Sequence, residues 1–363
     1  MKNKRKECIG CKMNNSEIAF LQDDFELVGT DKIAPHDETF DGRSYWHDIR
    51  TRFTGNKGAV IGLIFILLII IMAVIGPKIS GHTYYDQTIA HQNLAPRIKG
   101  LEKLGLFDGS EVMNTSTGTV KQNKYISKDF GLTTGLEDIY YWFGTDVLGR
   151  DIFTRTWEGT RISLYIALVA VIVDMCFGMI YGLISGYFGS KTDMVMQRFA
   201  EVLNGIPTLV IVTLLILVFK PGLVTITIAL AITGWIGMSK IARAQVLKLK
   251  EQEFILASKT LGARDFFIIF KEILPNIFGQ LIVMSMFSIP NAIFTEAFLA
   301  FIGLGVPQPL ASLGSLISDA FKSFTTHPYM ILFPVVVLAV IMLSFNMMAD
   351  GLRDAFDPKM KEM

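Results

Sequence analysis

The sequence predicts an all-α fold, a polytopic membrane bundle of six transmembrane helices. Three observations predict it. Apolar residue types make up 51% of the 363 residues and charged types only 18%, against roughly 25% charged in soluble domains. Mean hydropathy is +0.43. The apolar residues also fall in blocks close to the ~20 residues that cross about 30 Å of hydrocarbon. Backbone in lipid must satisfy its own hydrogen bonds, so these blocks are read as helices. None alternates in the manner of a membrane β-strand.

Taken in order, residues 1–58 read as a cytoplasmic N-terminal extension, polar and mixed in charge. Within it, residues 44–53 set Tyr45, Trp46, Ile49 and Phe53 among charged side chains. That spacing suits a short amphipathic helix on the inner leaflet. The basic start MKNKRK is followed by no apolar h-region, so no cleavable signal is expected. The first transmembrane helix is placed at 60–79, with Val60 to Gly76 uncharged and Lys78 able to snorkel. Residues 80–161 form an extracytoplasmic segment rich in aromatics, and its polar run Asn114 to Asn123 reads as a hairpin or flexible tip.

Residues 162–350 hold a five-helix core. Its blocks are Ile162 to Tyr187, Ile206 to Phe219, Leu223 to Ser239, Ile277 to Phe301 and Tyr329 to Met348. The first carries one charge, Asp174, and the fourth one charge, Glu296. Ile206 to Phe219 has only 14 residues. Borrowing Leu203, Asn204 and Gly205 brings it near spanning length; a re-entrant pair is the alternative. A cytoplasmic tail follows over 351–363. Lys and Arg set the orientation. Arg50, Arg52 and Lys57 precede the first span, and the segment Lys240 to Glu272 carries seven basic residues. Both termini are therefore expected in the cytoplasm of a multi-pass plasma or inner membrane protein.

Several functions are unsupported by these residues. A net charge of +1 lacks the basic excess of a nucleic-acid binder. Three cysteines make no disulfide framework. Cys8 and Cys11 form a CxxC without further ligands nearby, so no metal site is expected; Cys176 reads as a small packing residue. No GxxxxGK[ST], HExxH or GxSxG run occurs. The chain is expected to be no enzyme, with no catalytic residue and no bound cofactor.

The most informative stretch is EFILASKTLGARDFFIIFKEILPN, from Glu253, inside a cytoplasmic loop placed at 246–275. It is too apolar for a solvated loop. Phe266, Phe267, Ile269 and Phe270 would be costly to expose, Gly262 would end a helix or permit close approach, and Pro275 would restart the chain toward the fifth span. A short helix that plugs into a cytoplasmic partner fits better than an interfacial linker.

This segment resembles the EAA loop of ABC importer permeases, onto which Ala257, Gly262, Leu274 and Pro275 map. It departs at Leu256 and Ser258, which replace the pattern's Glu and second Ala, and at Glu272, where an apolar residue is usual. Phe143 to Leu164 and Gly186 to Pro207 are similar to the dipeptide/oligopeptide/nickel permease family. Glu296 to Pro309 and Phe345 to Pro358 resemble its C-type subunit. The resemblance covers about residues 44–80 and 140–360.

That resemblance implies the type I ABC importer permease fold. It implies a homologous second permease that completes the pathway, two ABC ATPases carrying ATP and Mg, an extracytoplasmic substrate-binding protein, and oligopeptide as cargo. Dipeptide, glutathione or nickel uptake by the same machinery is the alternative; a stand-alone channel or secondary transporter leaves the EAA-like loop without a use. The residues expected to meet the ATPase are Glu253, Ala257, Ser258, Gly262, Ala263, Arg264, Leu274 and Pro275. Pathway or inter-permease candidates are Asp174, Pro290 and Glu296. Asp174 stands out because an Asp at a span's centre costs about 2.5–3.5 kcal/mol on insertion scales, and the family pattern usually has an apolar residue there.

Overall fold

The computed structural model describes residues 45–105, 107–115, 118–125, 128–129, 132–133, 136 and 138–356. Cys8, Cys11 and the tail beyond Phe356 lie outside the described residues. The described elements are α1 (Tyr45–Gly55), α2 (Lys57–Ile79), β1 (Ser110–Thr115) and β2 (Gly118–Asn123), then α3 (Ile152–Phe188), α4 (Ser190–Asn204), α5 (Thr208–Phe219) and α6 (Leu223–Leu249). A short α7 (Glu253–Thr260) precedes the long α8 (Asp265–Leu304), α9 (Leu313–Phe321) and α10 (Tyr329–Phe356). Short 3-10 turns and a two-residue strand pair complete the segment between α2 and α3.

Among the described residues, five helices are long and apolar enough to cross a membrane: α2, α3, α6, α8 and α10. The short third span is where the sequence left a choice. Asn204 and Gly205 do not extend α5. The chain breaks before Pro207 and bends by 76° between α4 and α5. Pro207 has no N–H to donate and keeps Ile206 out of the helical region. The pair is either one broken span, giving six crossings, or a re-entrant turn.

Helix ends follow local chemistry. Asn56 caps α2 by accepting from the Ala59 N–H. Asp151 caps α3 by accepting from Phe153 and Thr154. Ser312 and Ser315 form a reciprocal capping box at α9. The end of α10 is tied to the start of α2 by Asn56 donating to Asp354 at 3.1 Å.

Packing separates faces that hydropathy leaves alike. α2 buries Ala59, Gly62, Ile66, Ile69, Ala73 and Gly76. Its exposed face carries Ile64, Phe65, Leu68, Ile71 and Val74, a surface suited to lipid. Small residues on the inner face allow close approach, which drives helix association where lipid is as apolar as the side chains. A Cβ at Gly62 would sit 2.7 Å from the Ser344 carbonyl of α10. A core of Ile66, Phe153, Trp157, Ile293, Ile341 and Phe345 joins α2, α3, α8 and α10.

The segment between α2 and α3 builds a small lobe. Leu94, Tyr125, Leu136 and Tyr141 form its core. The described residues of the polar run, 114–115 and 118–123, lie in the antiparallel pair β1–β2. Glu111 on β1 meets His327, before α10, at 2.7 Å, which pins the hairpin to the helix bundle. Asp108 accepts from the Ser110 N–H at 2.9 Å, from the Ser110 hydroxyl and from Lys121 at 3.0 Å. These donors hold its carboxyl down at about 2. Burial pushes the Tyr141 hydroxyl up to about 12.

Candidate functional site

The EAA-like stretch folds as helix, turn and helix. α7 ends in a Schellman turn, with Gly262 at φ +81°. The Gly262 N–H donates to Lys259 and the Ala263 N–H reaches back to the Ser258 carbonyl at 3.1 Å. A positive φ there is cheap only for glycine. Ala263 packs beside Ile255, Ile268, Ile269 and Ile273 in one core cluster, with Leu274 at its edge. This cluster seats α7 firmly on α8.

The seat leaves the tip bare. Leu261 is 88% exposed and Phe266 74% exposed, with Phe254, Leu256 and Phe267 also exposed. Glu253, Ala257, Arg264 and Pro275 are exposed and Ser258 is half-buried. Of the four apolar residues expected to avoid water, Ile269 alone is buried. The fifth-span helix begins at Asp265, ten residues before Pro275, so no restart occurs at the proline. Instead α8 widens into a π turn over Ile268–Ile273, which accommodates a ring that cannot donate to the preceding turn.

Two departures from the EAA pattern meet each other. The Ser258 hydroxyl donates to Glu272 at 2.6 Å. A small polar residue on α7 and an acid on α8 thereby replace an apolar contact with a charge-assisted hydrogen bond. Beside them, Tyr187 at the end of α3 donates to Asp265 at 2.7 Å. Arg243 on α6 grips Asp193 on α4 through two nitrogens, at 2.6 and 2.5 Å, and Ser185 of α3 donates to the same carboxylate at 2.5 Å.

The three pathway candidates do not gather. Glu296 is fully buried and accepts from Ser163 on α3 at 2.8 Å. It ties α8 to α3 away from open space. Pro290 is buried within α8. Asp174 lines a cavity of about 490 Å³ between α3, the α4–α5 bend, α6 and α8. It opens a π turn over Asp174–Gly178. Gly178 lets this turn approach α6, since a Cβ would lie 2.6 Å from the Trp235 carbonyl. Asp174 and Gly178 take the inward side of the turn, and Cys176 is exposed rather than packed in the core.

Sequence reading missed most of this cavity's polar lining: Asn204, Thr208, Thr233, Ser288, Asn291 and Thr295. A signal was present. Ser288, Asn291 and Thr295 recur at helical spacing within an apolar block, marking one polar face. A second cavity, of about 460 Å³, reaches Arg353 and shares Ile241, Met284 and Phe287 with the first.

These features define a polytopic helical membrane protein with a polar cavity among its spans and a seated surface helix. A family model described as binding-protein-dependent transport system inner membrane component matches residues 178–362. A second, described as the N-terminal TM domain of oligopeptide transport permease C, matches residues 44–96. Oligopeptide transport system permease protein OppC of Bacillus subtilis is 43% identical over 319 residues, 88% of this chain and 91% of that protein. Dipeptide transport system permease protein DppC of the same organism is 41% identical, covering 88% and 87%. OppC of Escherichia coli is 35% identical, covering 88% and 93%. A solved inward-facing structure of the MetNI methionine ABC transporter overlaps 55% of this chain and 95% of its own at 14% identity and a TM-score of 0.47. The chain belongs to the oligopeptide/dipeptide permease family of ABC importers, and is a multi-pass cell-membrane permease subunit whose relatives are permeases rather than ATPases. The type I permease fold expected from the resemblance follows from that membership.

Proposed function

We propose that this chain is one of two homologous permeases that form an oligopeptide pathway, and that α7 with the following turn docks into an ABC ATPase on the cytoplasmic side. The observation that carries this reading is the bare apolar tip, with Leu261 in the turn after α7 and Phe266 at the start of α8, beside a helix that Ile255 locks into the bundle. A tip that were merely structural would bury those side chains. A rigid seat is what a coupling element needs, because closure of two ATPases must move the spans and not just the loop.

ATP and Mg stay on the ATPases. The residues in or beside the contact are Glu253, Ala257, Ser258, Gly262, Ala263, Arg264, Leu274 and Pro275, of which Ala263 and Leu274 act by seating the helix. Residues 1–58 and 351–363 then lie in the cytoplasm, and the lobe over 80–161 faces the substrate-binding protein. The two neighbouring cavities form this chain's share of the pathway. Glu296 and Pro290 shape the α8 wall behind it. Shifting a two-state equilibrium from 1:99 to 99:1 takes roughly 5.5 kcal/mol of differential binding, which a seated apolar plug can transmit.

Relatives named for dipeptide transport at 41% identity keep dipeptides as the second reading of the cargo. The test is ATP hydrolysis in proteoliposomes holding both permeases, the ATPases and the binding protein. Loaded binding protein should stimulate hydrolysis, and Gly262→Arg, strained at φ +81°, should uncouple it. Stimulation that survives this substitution unchanged would remove the coupling role. A response to a nickel chelate but to no peptide would overturn the cargo.

A further inference from the structure

Asp174 stands at a cavity among the spans. It is 6% exposed, yet it lines an open polar space among the spans rather than a closed interface. Its side-chain partner is the neutral Ser288; among the described residues lining this cavity no other side chain is ionisable. Glu296 shows what a structural acid looks like in this bundle: fully buried, joined to a facing helix and away from the cavity. Asp174 is likewise joined to a facing helix, through Ser288 on α8, but it lines the cavity.

Gly234 on α6 packs against the carboxylate, where a Cβ would stand a tight 3.2 Å from the Asp174 Oδ1. Gly237, one turn on, has open space at its Cβ position. Thr233, Ser288, Asn291 and Thr295 supply neutral hydrogen-bonding groups around the same space. The volume of about 490 Å³ falls in the range of small-ligand sites. This space adjoins the second cavity, with Ile241, Met284 and Phe287 lining both, and the lining of that second cavity includes Arg353. A carboxylate therefore lines one space and a guanidinium its neighbour.

One cargo chemistry matches an isolated acid with space before it and neutral donors and acceptors around it: a primary ammonium that arrives with its own amide backbone. We propose that Asp174 is a specificity-determining subsite for the free N-terminal ammonium of a peptide passing through this permease. The inference rests on the peptide-pathway reading above and adds a residue and a chemical group to it. Binding forms no covalent bond. The ammonium loses water and gains one charge-assisted hydrogen bond, while the amides that follow meet the threonines and asparagines. An N-blocked peptide keeps the amides and loses the ion pair.

The test is equilibrium binding to the assembled transporter in nanodiscs without the binding protein, using trialanine and N-acetyl-trialanine. Wild type should bind trialanine at least ten-fold more tightly than its acetylated form. In Asp174→Asn the two affinities should converge, and Asp174→Glu should restore most of the difference. Recovery of each variant as a stoichiometric complex by size exclusion separates this effect from misassembly. A difference between the peptides that persists in Asp174→Asn would overturn the proposal. So would equal binding of both forms, or no saturable binding of either, to wild type. Uptake of trialanine by the wild-type transporter with its binding protein keeps the two readings apart: uptake with a failed binding test sinks the subsite alone, whereas no peptide uptake sinks the pathway reading beneath it.

Discussion

Replacing Leu261 and Phe266 together by serine tests the docking surface with little disturbance to the permease. Both side chains point away from the bundle, at 88% and 74% exposure, and substitutions at such surface positions usually change stability by no more than about 0.5 kcal/mol. If docking buries them, each should contribute about 1.5–3 kcal/mol, the value for fully covering a Leu or Phe side chain. The pair then supplies about 3–6 kcal/mol of docking energy. Since about 1.4 kcal/mol is tenfold in affinity, the double variant should bind the ATPases at least 100-fold more weakly. The assay is titration of purified ATPases onto the permease pair in nanodiscs, with the thermal unfolding midpoint of the pair measured alongside. A loss of affinity below about threefold, with an unchanged midpoint, would refute the reasoning, because these side chains would then lie outside the contact.

Three further outcomes follow from the geometry. Gly182→Leu should lower the thermal midpoint of the detergent-solubilised chain, since a Cβ there meets the Ser239 carbonyl at 2.3 Å and the Ala242 Cβ at 2.6 Å; overpacking costs about 1–3 kcal/mol, or more where backbone must move, and an unchanged midpoint would mean that α3 and α6 are not so close. A double-mutant cycle on Ser258→Ala and Glu272→Ala should give a coupling of about 1–3 kcal/mol, the range for a hydrogen bond to a charged group; hydrogen exchange over α7 reads it, and additive effects would show that the 2.6 Å bond does not hold the helix. The Asp108 carboxyl lies below its ordinary 3.8, at about 2, because Ser110 and Lys121 donate to it. The stability it gives the β1–β2 lobe is therefore present above pH 3.8 and lost as pH falls through about 2. Asp108→Asn should abolish that acid dependence in hydrogen exchange over residues 107–125; an acid transition of unchanged size in the variant would place its origin elsewhere.

Much of the architecture is written along the chain, because a bilayer imposes its demand one segment at a time. A block such as Val60 to Gly76 must be a helix whatever its neighbours do, since lipid offers its backbone no partners. The family is legible for a related reason: the EAA-like run and the segments around Phe143, Gly186, Glu296 and Phe345 are contiguous motifs. The Gly262 turn is likewise local, fixed by one residue that tolerates φ +81°. Here sequence position and physical cause coincide.

Only the tertiary structure decided which face of each apolar helix turns inward. Hydropathy rates Ile64 and Ile66 alike, yet the first is exposed and the second buried, because Ala59, Gly62 and Ala73 choose the side on which backbones can touch. It decided that Pro207 ends one helix and bends the chain by 76°, while Pro275 is absorbed by a π turn; a proline's local restriction is the same in both, and the packing around it differs. It decided that Ser258 and Glu272, separate oddities in the sequence, are partners. It also parted Asp174 from Glu296, two intramembrane acids that the chain presents as equivalents. Both meet a serine on a facing helix, but Asp174 also borders open space, because the cost of an acid in a span depends on what surrounds it, and only the assembled helices supply the surroundings.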